Sequence, residues 1–292
     1  MKQNLQRIEF KRRLNPAATN KGWVCLLLTL VFVLLPLSSF AQLAVSTSPL
    51  YLNVPAGEKR TFSLKIENLG EEPEGVKVYL GDWRRDLNGN TQYLKPGSLS
   101  QSLADWIKIS PASFIIEGGK EREIRFTVSV PEGEEGSRWA LLFIQREPEL
   151  VEEVVKRGEE ERRLVIQSVF RYVIRIYQTI PGTEIREGRV TDIGVNLTKG
   201  GYPVKVMVEF ENTGNAFLNP NGWVEFRDME EGKTVAKMDI SGFSILPGGK
   251  RRLEISYQEE LPFGKYITLA IIDYGGDNLV AGQAFFELRG EK

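Results

Sequence analysis

The feature that most restricts this chain is a period of two. Across residues 61–67, Phe62, Leu64 and Ile66 fall on one face, while Ser63, Lys65 and Glu67 fall on the other. That is the pattern of a strand with one side buried. Similar runs recur through the chain, punctuated by Gly, Pro and Asn, and helical spacing is almost absent. The alternation predicts strands at 44–54, 61–68, 75–83, 106–110, 113–116, 121–130, 138–146 and 163–178. After a break at Ile180-Pro181-Gly182-Thr183 it restarts at 203–212, 222–228, 234–240, 250–258, 264–273 and 283–288. Two sets of short strands with turn signals between them predict an all-β chain of two immunoglobulin-like β-sandwich domains in tandem, at 42–180 and 181–292. A single large barrel is the alternative architecture, and the Pro-Gly break with its restarted pattern argues against it.

The first 41 residues stand outside this pattern. Lys2, Arg7, Lys11, Arg12, Arg13 and Lys21 precede an apolar run of 15 residues, Trp23 to Leu37, and Ser39-Phe40-Ala41 places small residues around a cleavage point. This order describes a secretory signal peptide, residues 1–41, and predicts a periplasmic or otherwise extracytoplasmic protein beginning at Gln42. The run is shorter than the ~20 residues a spanning helix needs. An uncleaved N-terminal anchor is the alternative.

Composition excludes several kinds of chemistry. The sequence has no histidine, and its one cysteine, Cys25, lies inside the leader. Serine and cysteine triads, histidine-ligated zinc and disulfide frameworks therefore lose their central residue. The reading is a non-enzyme with no cofactor and no metal. Without residues 1–41 the chain has 32 basic and 38 acidic residues, a net charge of −6, which does not suggest a nucleic-acid partner. Asp86-Leu87-Asn88-Gly89-Asn90 lacks the spacing of a calcium loop and reads as a hairpin turn. Glu67-Asn68-Leu69-Gly70 in the first half is echoed by Glu211-Asn212-Thr213-Gly214 in the second, through shared turn chemistry or duplication.

One segment departs from a plain sandwich. The apolar strand 138–146 (RWALLFIQR) leads into an acidic connection with seven glutamates between 147 and 161, then into sixteen alternating residues at 163–178. Such a strand is long against the usual five or six. Parity puts Leu164, Ile166, Ser168, Phe170, Tyr172, Ile174 and Ile176 toward a core. Val165, Gln167, Val169, Arg171, Val173, Arg175 and Tyr177 take the other face, a mixture of valines and cations suited to a covering partner. A curved edge strand with ordinary surface arginines is the alternative.

The hairpin Trp139-Ala140-Leu141-Leu142-Phe143-Ile144-Gln145-Arg146-Glu147-Pro148, the variable connection and the strand ending Ile176-Tyr177 resemble the periplasmic pilus-assembly chaperones of the chaperone–usher family. The resemblance implies a pilin-like exported subunit as partner, an outer-membrane usher beyond it, and capture by β-strand addition. It makes Val165, Gln167, Val169, Arg171, Val173 and Arg175 the partner-binding positions, with Val165, Gln167 and Val169 presenting the donated side chains. The family also holds a terminal carboxylate with two basic residues, one on the first strand and one on the long strand. Here 43–54 contains no Lys or Arg, and Ile174 stands at the long-strand position between Arg171 and Arg175. A second stretch, Asp82-Trp83-Arg84-Arg85-Asp86 through Ser110-Pro111, resembles more divergent exported chaperone-like proteins, and its tryptophans are expected to pack between sheets. The other functional class is a cell-surface module binding a glycan or envelope component through loops.

Overall fold

The computed structural model describes residues 43–46, 48–157, 160–198 and 203–289. The expected leader, with Cys25, lies outside them. Among the described residues no helix is long and apolar enough to cross a membrane.

The chain enters through β1 (Leu43–Val45) and β2 (Leu50–Leu52), where one strand at 44–54 was expected. Pro49 lies between them and lacks the N–H that a ladder needs. The chain uses this gap to change sheets: β1 pairs antiparallel with one sheet and β2 parallel with the other. Next come β3 (Lys59–Asn68), β4 (Glu74–Arg85), β5 (Thr91–Leu94), β6 (Ile107–Ser110), β7 (Ser113–Ile116) and β8 (Glu121–Ser129). They are followed by β9 (Ser137–Arg146), β10 (Glu149–Arg157), β11 (Glu160–Ser168) and β12 (Arg171–Thr179).

One sheet has the order β1-β3-β8-β6, and the facing sheet runs β2-β12-β9-β4-β5 with β7 also on β4. Alternation puts Ile66 of β3 and Ile124, Phe126 and Val128 of β8 into the gap between them. There they meet Val76 and Val78 of β4, Leu142 and Ile144 of β9, and Ile174 and Ile176 of β12.

The second sandwich consists of β13 (Gly188–Leu197), β14 (Val204–Asn212), β15 (Asn221–Asp228), β16 (Thr234–Ile240), β17 (Lys250–Tyr257), β18 (Gly264–Asp273) and β19 (Val280–Leu288). Its sheets are β13-β14-β17 and β16-β15-β18-β19, the three-plus-four division of an immunoglobulin-like sandwich. Val204, Val206, Val208 and Phe210 of β14 face Val224, Phe226, Ala270 and Ile272 across its core. The alternation missed β13, whose pairing with β14 shifts register between Val190 and Asp192 and whose residues are nowhere fully buried. A bulge breaks the period that identifies a strand.

The asparagines of the echoed tetrapeptides make the same pattern of hydrogen bonds. Asn68 is fully buried, donating Nδ2–H to the carbonyls of Glu72 (2.7 Å) and Ile116 (3.0 Å) and accepting from the Gly70 N–H (2.9 Å). Asn212, also fully buried, donates to the carbonyls of Ala216 (2.8 Å) and Ile245 (3.4 Å) and accepts from the Gly214 N–H (3.1 Å). Each amide closes the turn at the end of its strand, where backbone groups sealed from water would otherwise lack a partner. Asn68→Ala and Asn212→Ala should each lower stability by about 1–3 kcal/mol, since each strands buried backbone groups. Urea denaturation measures this, and Thr61→Ala, on an exposed β3 residue, serves as the small-effect comparison.

Candidate functional site

The site is built around β9, which is buried on both faces. Ala140, Leu142 and Ile144 point into the first sandwich, while Trp139, Leu141 and Phe143 point outward and are still no more than 4% exposed. The outward row joins Trp83 of β4 and Tyr177 of β12 in an aromatic layer, closed by Leu246 and Phe217 of the second sandwich. Tyr177 packs 4.4 Å from Phe217 and stacks 5.2 Å from Tyr51. Burial pushes the Tyr177 phenol up to about 12, against the opposing pull of Arg175. Trp83 thus packs outside the first sandwich, against the second, rather than between sheets as expected. Its position on β4 alternates with that of the buried Asp82.

The expected strand at 163–178 is two strands, with Val169 and Phe170 between them. β12 is part of the sandwich sheet, paired with β9 from Arg171↔Gln145 to Thr179↔Ser137. β11 instead forms a two-stranded ribbon with β10, from Glu149↔Ser168 to Arg157↔Glu160. The acidic connection, read as a loop, therefore supplies a strand. The register slips by one residue between the two ladders, and Arg146 N–H donates to the Phe170 carbonyl (3.2 Å) at the join. Arg146 fastens this root by an ion pair to Glu74 and by lying 5.7 Å from the Phe170 ring. Phe170, expected in the core, is 46% exposed. The buried positions of β12 begin at Ile174, and Tyr172 is half-buried with its hydroxyl on the Leu43 carbonyl (2.6 Å).

The six predicted positions divide accordingly. Val165 and Gln167 lie on the ribbon and Val169 in the join, all exposed. Arg171, Val173 and Arg175 lie on β12: Arg171 is exposed and 5.2 Å from the Phe143 ring, Val173 packs on the aromatic layer, and Arg175 lies 5.1 Å from Trp83. The sheet brings the last three together, while the first three continue beyond the sandwich. β12 has β9 on one side. On the other, β2 pairs only with Ile176, Tyr177 and Gln178, in parallel. From Arg171 to Arg175 that outer edge has no strand partner among the described residues. Neither does the outer edge of β11.

Sequence reasoning did not find the cations on the far side of the aromatic layer. Arg85, at the end of β4, lies 5.5 Å from the Trp83 ring and donates Nη1–H to Ser244 Oγ (2.7 Å) and to the Ser244 carbonyl (3.2 Å). Burial lowers its pKa below the ordinary guanidinium value, and the neighbouring Arg175 charge lowers it further. The β4–β5 turn meets β17, where Arg252 N–H donates to the Leu87 carbonyl (2.8 Å). Gly89 makes this approach possible: its φ is +88°, and a Cβ there would fall 1.0 Å from Nη1 of Arg251. The Asn88-Gly89 turn is thus a hairpin turn, as its sequence indicates, and also part of the joint between the sandwiches. The signal was the Trp83-Arg84-Arg85 run beside that turn. Its partner, Arg251, is too distant in sequence to be paired with it.

Neither a family model nor a curated protein sequence matches the chain. Solved structures similar to it include the class 5 fimbriae chaperone CfaA, at 10% identity and a TM-score of 0.43 over 82% of this chain and 98% of that one. The CupB2 chaperone of Pseudomonas aeruginosa matches at 14% identity and a TM-score of 0.37, covering 84% and 100%. The Acinetobacter baumannii CsuC–CsuE complex of chaperone and tip adhesion subunit matches at 14% identity and a TM-score of 0.40, covering 82% and 97%. At these identities and TM-scores no residue role or partner passes from those structures to this chain.

The turn beside Arg85 makes a pH-dependent prediction. The Asp86 carboxylate accepts from the Asn90 side chain (2.9 Å) and backbone N–H (2.8 Å), which hold its pKa below the ordinary 3.8. A depressed folded value gives stability that is complete above the unfolded pKa and is lost as pH falls through the folded one. In a carboxyl NMR titration, Asp86 should titrate below 3.8 in the wild type, and Asn90→Ala should move its midpoint upward.

Proposed function

We propose that this chain is an exported, non-enzymatic chaperone-like protein that captures a partner polypeptide by β-strand addition. The observation that carries this reading is the five-residue opening at Arg171–Arg175, beside a sheet whose next ladder position is filled by β2 only from Ile176 onward. An incoming strand would find unmet backbone donors and acceptors along that edge, which is how strand addition gains affinity. Side chains flanking the edge would give specificity: Val173 and Arg175 beside the aromatic layer, Arg171 at its rim, and Val169, Gln167 and Val165 further along the ribbon. An apolar strand with alternating small side chains suits this surface.

The same reading covers partner and location. The chain would act after export, with residues 1–41 as its leader and 42–180 and 181–292 as its two domains. Its partner would be a pilin-like surface subunit that lacks a strand of its own, handed on to an outer-membrane usher. The hairpin motif at 139–148 supports this reading. The missing first-strand cation, in whose neighbourhood Tyr51 stacks on Tyr177, means that Arg171 and Arg175 would meet a partner's acidic groups without help from β2.

Val165 and Val169 are 55% and 44% exposed, so replacing both with Glu should leave the fold intact. In co-expression with candidate exported subunits, the Val165→Glu/Val169→Glu variant should keep the wild-type melting temperature and lose the co-purifying subunit. Undiminished co-purification by a folded variant would show that the ribbon and its join are not the binding surface.

A further inference from the structure

On the opposite side of the aromatic layer from the β12 edge, the joint between the sandwiches forms a half-open cavity of about 280 Å³. Its lining includes Trp83, Leu99 and Trp139 of the first sandwich, Leu246 of the second, and the guanidinium-bearing Arg85 and Arg251. Four N–H groups here, Trp83 Nε1, Arg85 Nε, and Arg251 Nε and Nη1, are buried with no hydrogen-bond partner among the described residues. Buried donors are ordinarily satisfied, and charged ones most of all.

Nor does Arg85 or Arg251, both in the lining, form an ion pair among the described residues. The acids around the cavity are otherwise engaged. Asp82 accepts from Ser102 Oγ (2.7 Å) and Leu99 N–H (3.0 Å), and Asp86 accepts from Asn90. Glu209 holds Arg252, and Glu211 holds Arg189 and Lys250. The joint thus gathers two like charges beside an apolar space and leaves Arg85 Nε and Arg251 Nε and Nη1 unmet. An anion there would supply the missing acceptors and relieve the repulsion. Apolar walls of two indoles, three leucines and Ile245 favour an anion with an apolar body over an inorganic ion.

We propose that this cavity binds a small organic carboxylate, its oxygens held by Arg85 and Arg251 and its apolar body packed against Trp83, Trp139 and Leu246. The site draws on neither the β12 edge nor β2, so it stands apart from strand capture. The ligand is a free small carboxylate, and a chain end is the competing occupant that the test must exclude. Because Ser244 and Leu246 come from one sandwich and Trp83 and Arg85 from the other, occupancy would also stiffen the joint.

Benzoate and N-acetyl-leucine serve as probes of the two occupants, with benzamide and N-acetyl-leucinamide as their uncharged counterparts. Binding to the full chain is followed by calorimetry and by the indole N–H resonance of Trp83. Benzoate should bind saturably and shift that resonance, and its amide should bind at least tenfold more weakly. Tighter benzoate binding supports a free carboxylate, and tighter N-acetyl-leucine binding would point to a chain end and overturn the proposal. Arg251→Gln should weaken the carboxylate at least tenfold, with Arg251→Lys closer to wild type. Trp83→Phe gives a second reading if Arg251→Gln does not fold. Val165→Glu/Val169→Glu should bind the probe like wild type, which separates this site from the strand edge. No saturable binding, equal binding of acid and amide, equal competition by sulfate, or indifference to both cavity substitutions would overturn the proposal.

Discussion

The structure depends on the burial of both faces of β9. A strand with one solvent face can bend, slip or end without great loss, but Trp139 to Ile144 are all nearly inaccessible and leave no room for a shift of register. The continuous apolar sequence of this strand follows from that position, as in sheets covered on both sides. Its inner side chains hold the two sheets of the first sandwich together. Its outer ones make the floor on which the second sandwich rests, through Leu246 and Phe217. The Trp139 indole also donates to the Trp83 carbonyl (2.9 Å), tying the floor to β4.

With β9 fixed, its neighbours have little freedom. β4 and β12 must flank it, and the outward cations Arg85, Arg171 and Arg175 come to lie over aromatic rings instead of beside carboxylates. A guanidinium on a ring keeps part of its favourable environment without an acid partner. The cations therefore remain available to groups that arrive from outside. Beyond Arg146 the second sheet ends, yet the hairpin continues as the β10–β11 ribbon. Phe170 lies just past the end of the β9 ladder and is exposed although its parity matches that of Ile174. The change of sheet at Pro49 leaves β2 only three residues long, and the Arg171–Arg175 edge stays open.

Much of this was legible in the sequence. Period-two alternation located most strands of both sandwiches, because half-burial imposes it directly. The Asn68 and Asn212 echo, which the sequence leaves open between shared turn chemistry and duplication, coincides with a matching set of side-chain hydrogen bonds at both strand ends. The break at Val169 and Phe170 left no mark, because alternation runs through it. What changes there is the ladder partner, β10 before the join and β9 after it, a fact about other residues. β13 was hidden by its bulge and its half-exposed faces. The pairing of Arg85 with Arg251 was hidden for a different reason: only the tertiary joint brings them together, and each alone resembles an ordinary surface cation.

The central claim is that β12 has an open edge in the free chain, and amide hydrogen exchange tests it directly. Strand pairing protects amides according to the ladder they join. In the isolated protein, the amides of Arg171–Arg175 that face away from β9 should exchange far faster than those of Leu141–Ile144. They should become slow when a partner strand binds. Uniform protection across Arg171–Arg175 in the monomeric free chain would contradict the account, because it would mean that the edge is already filled.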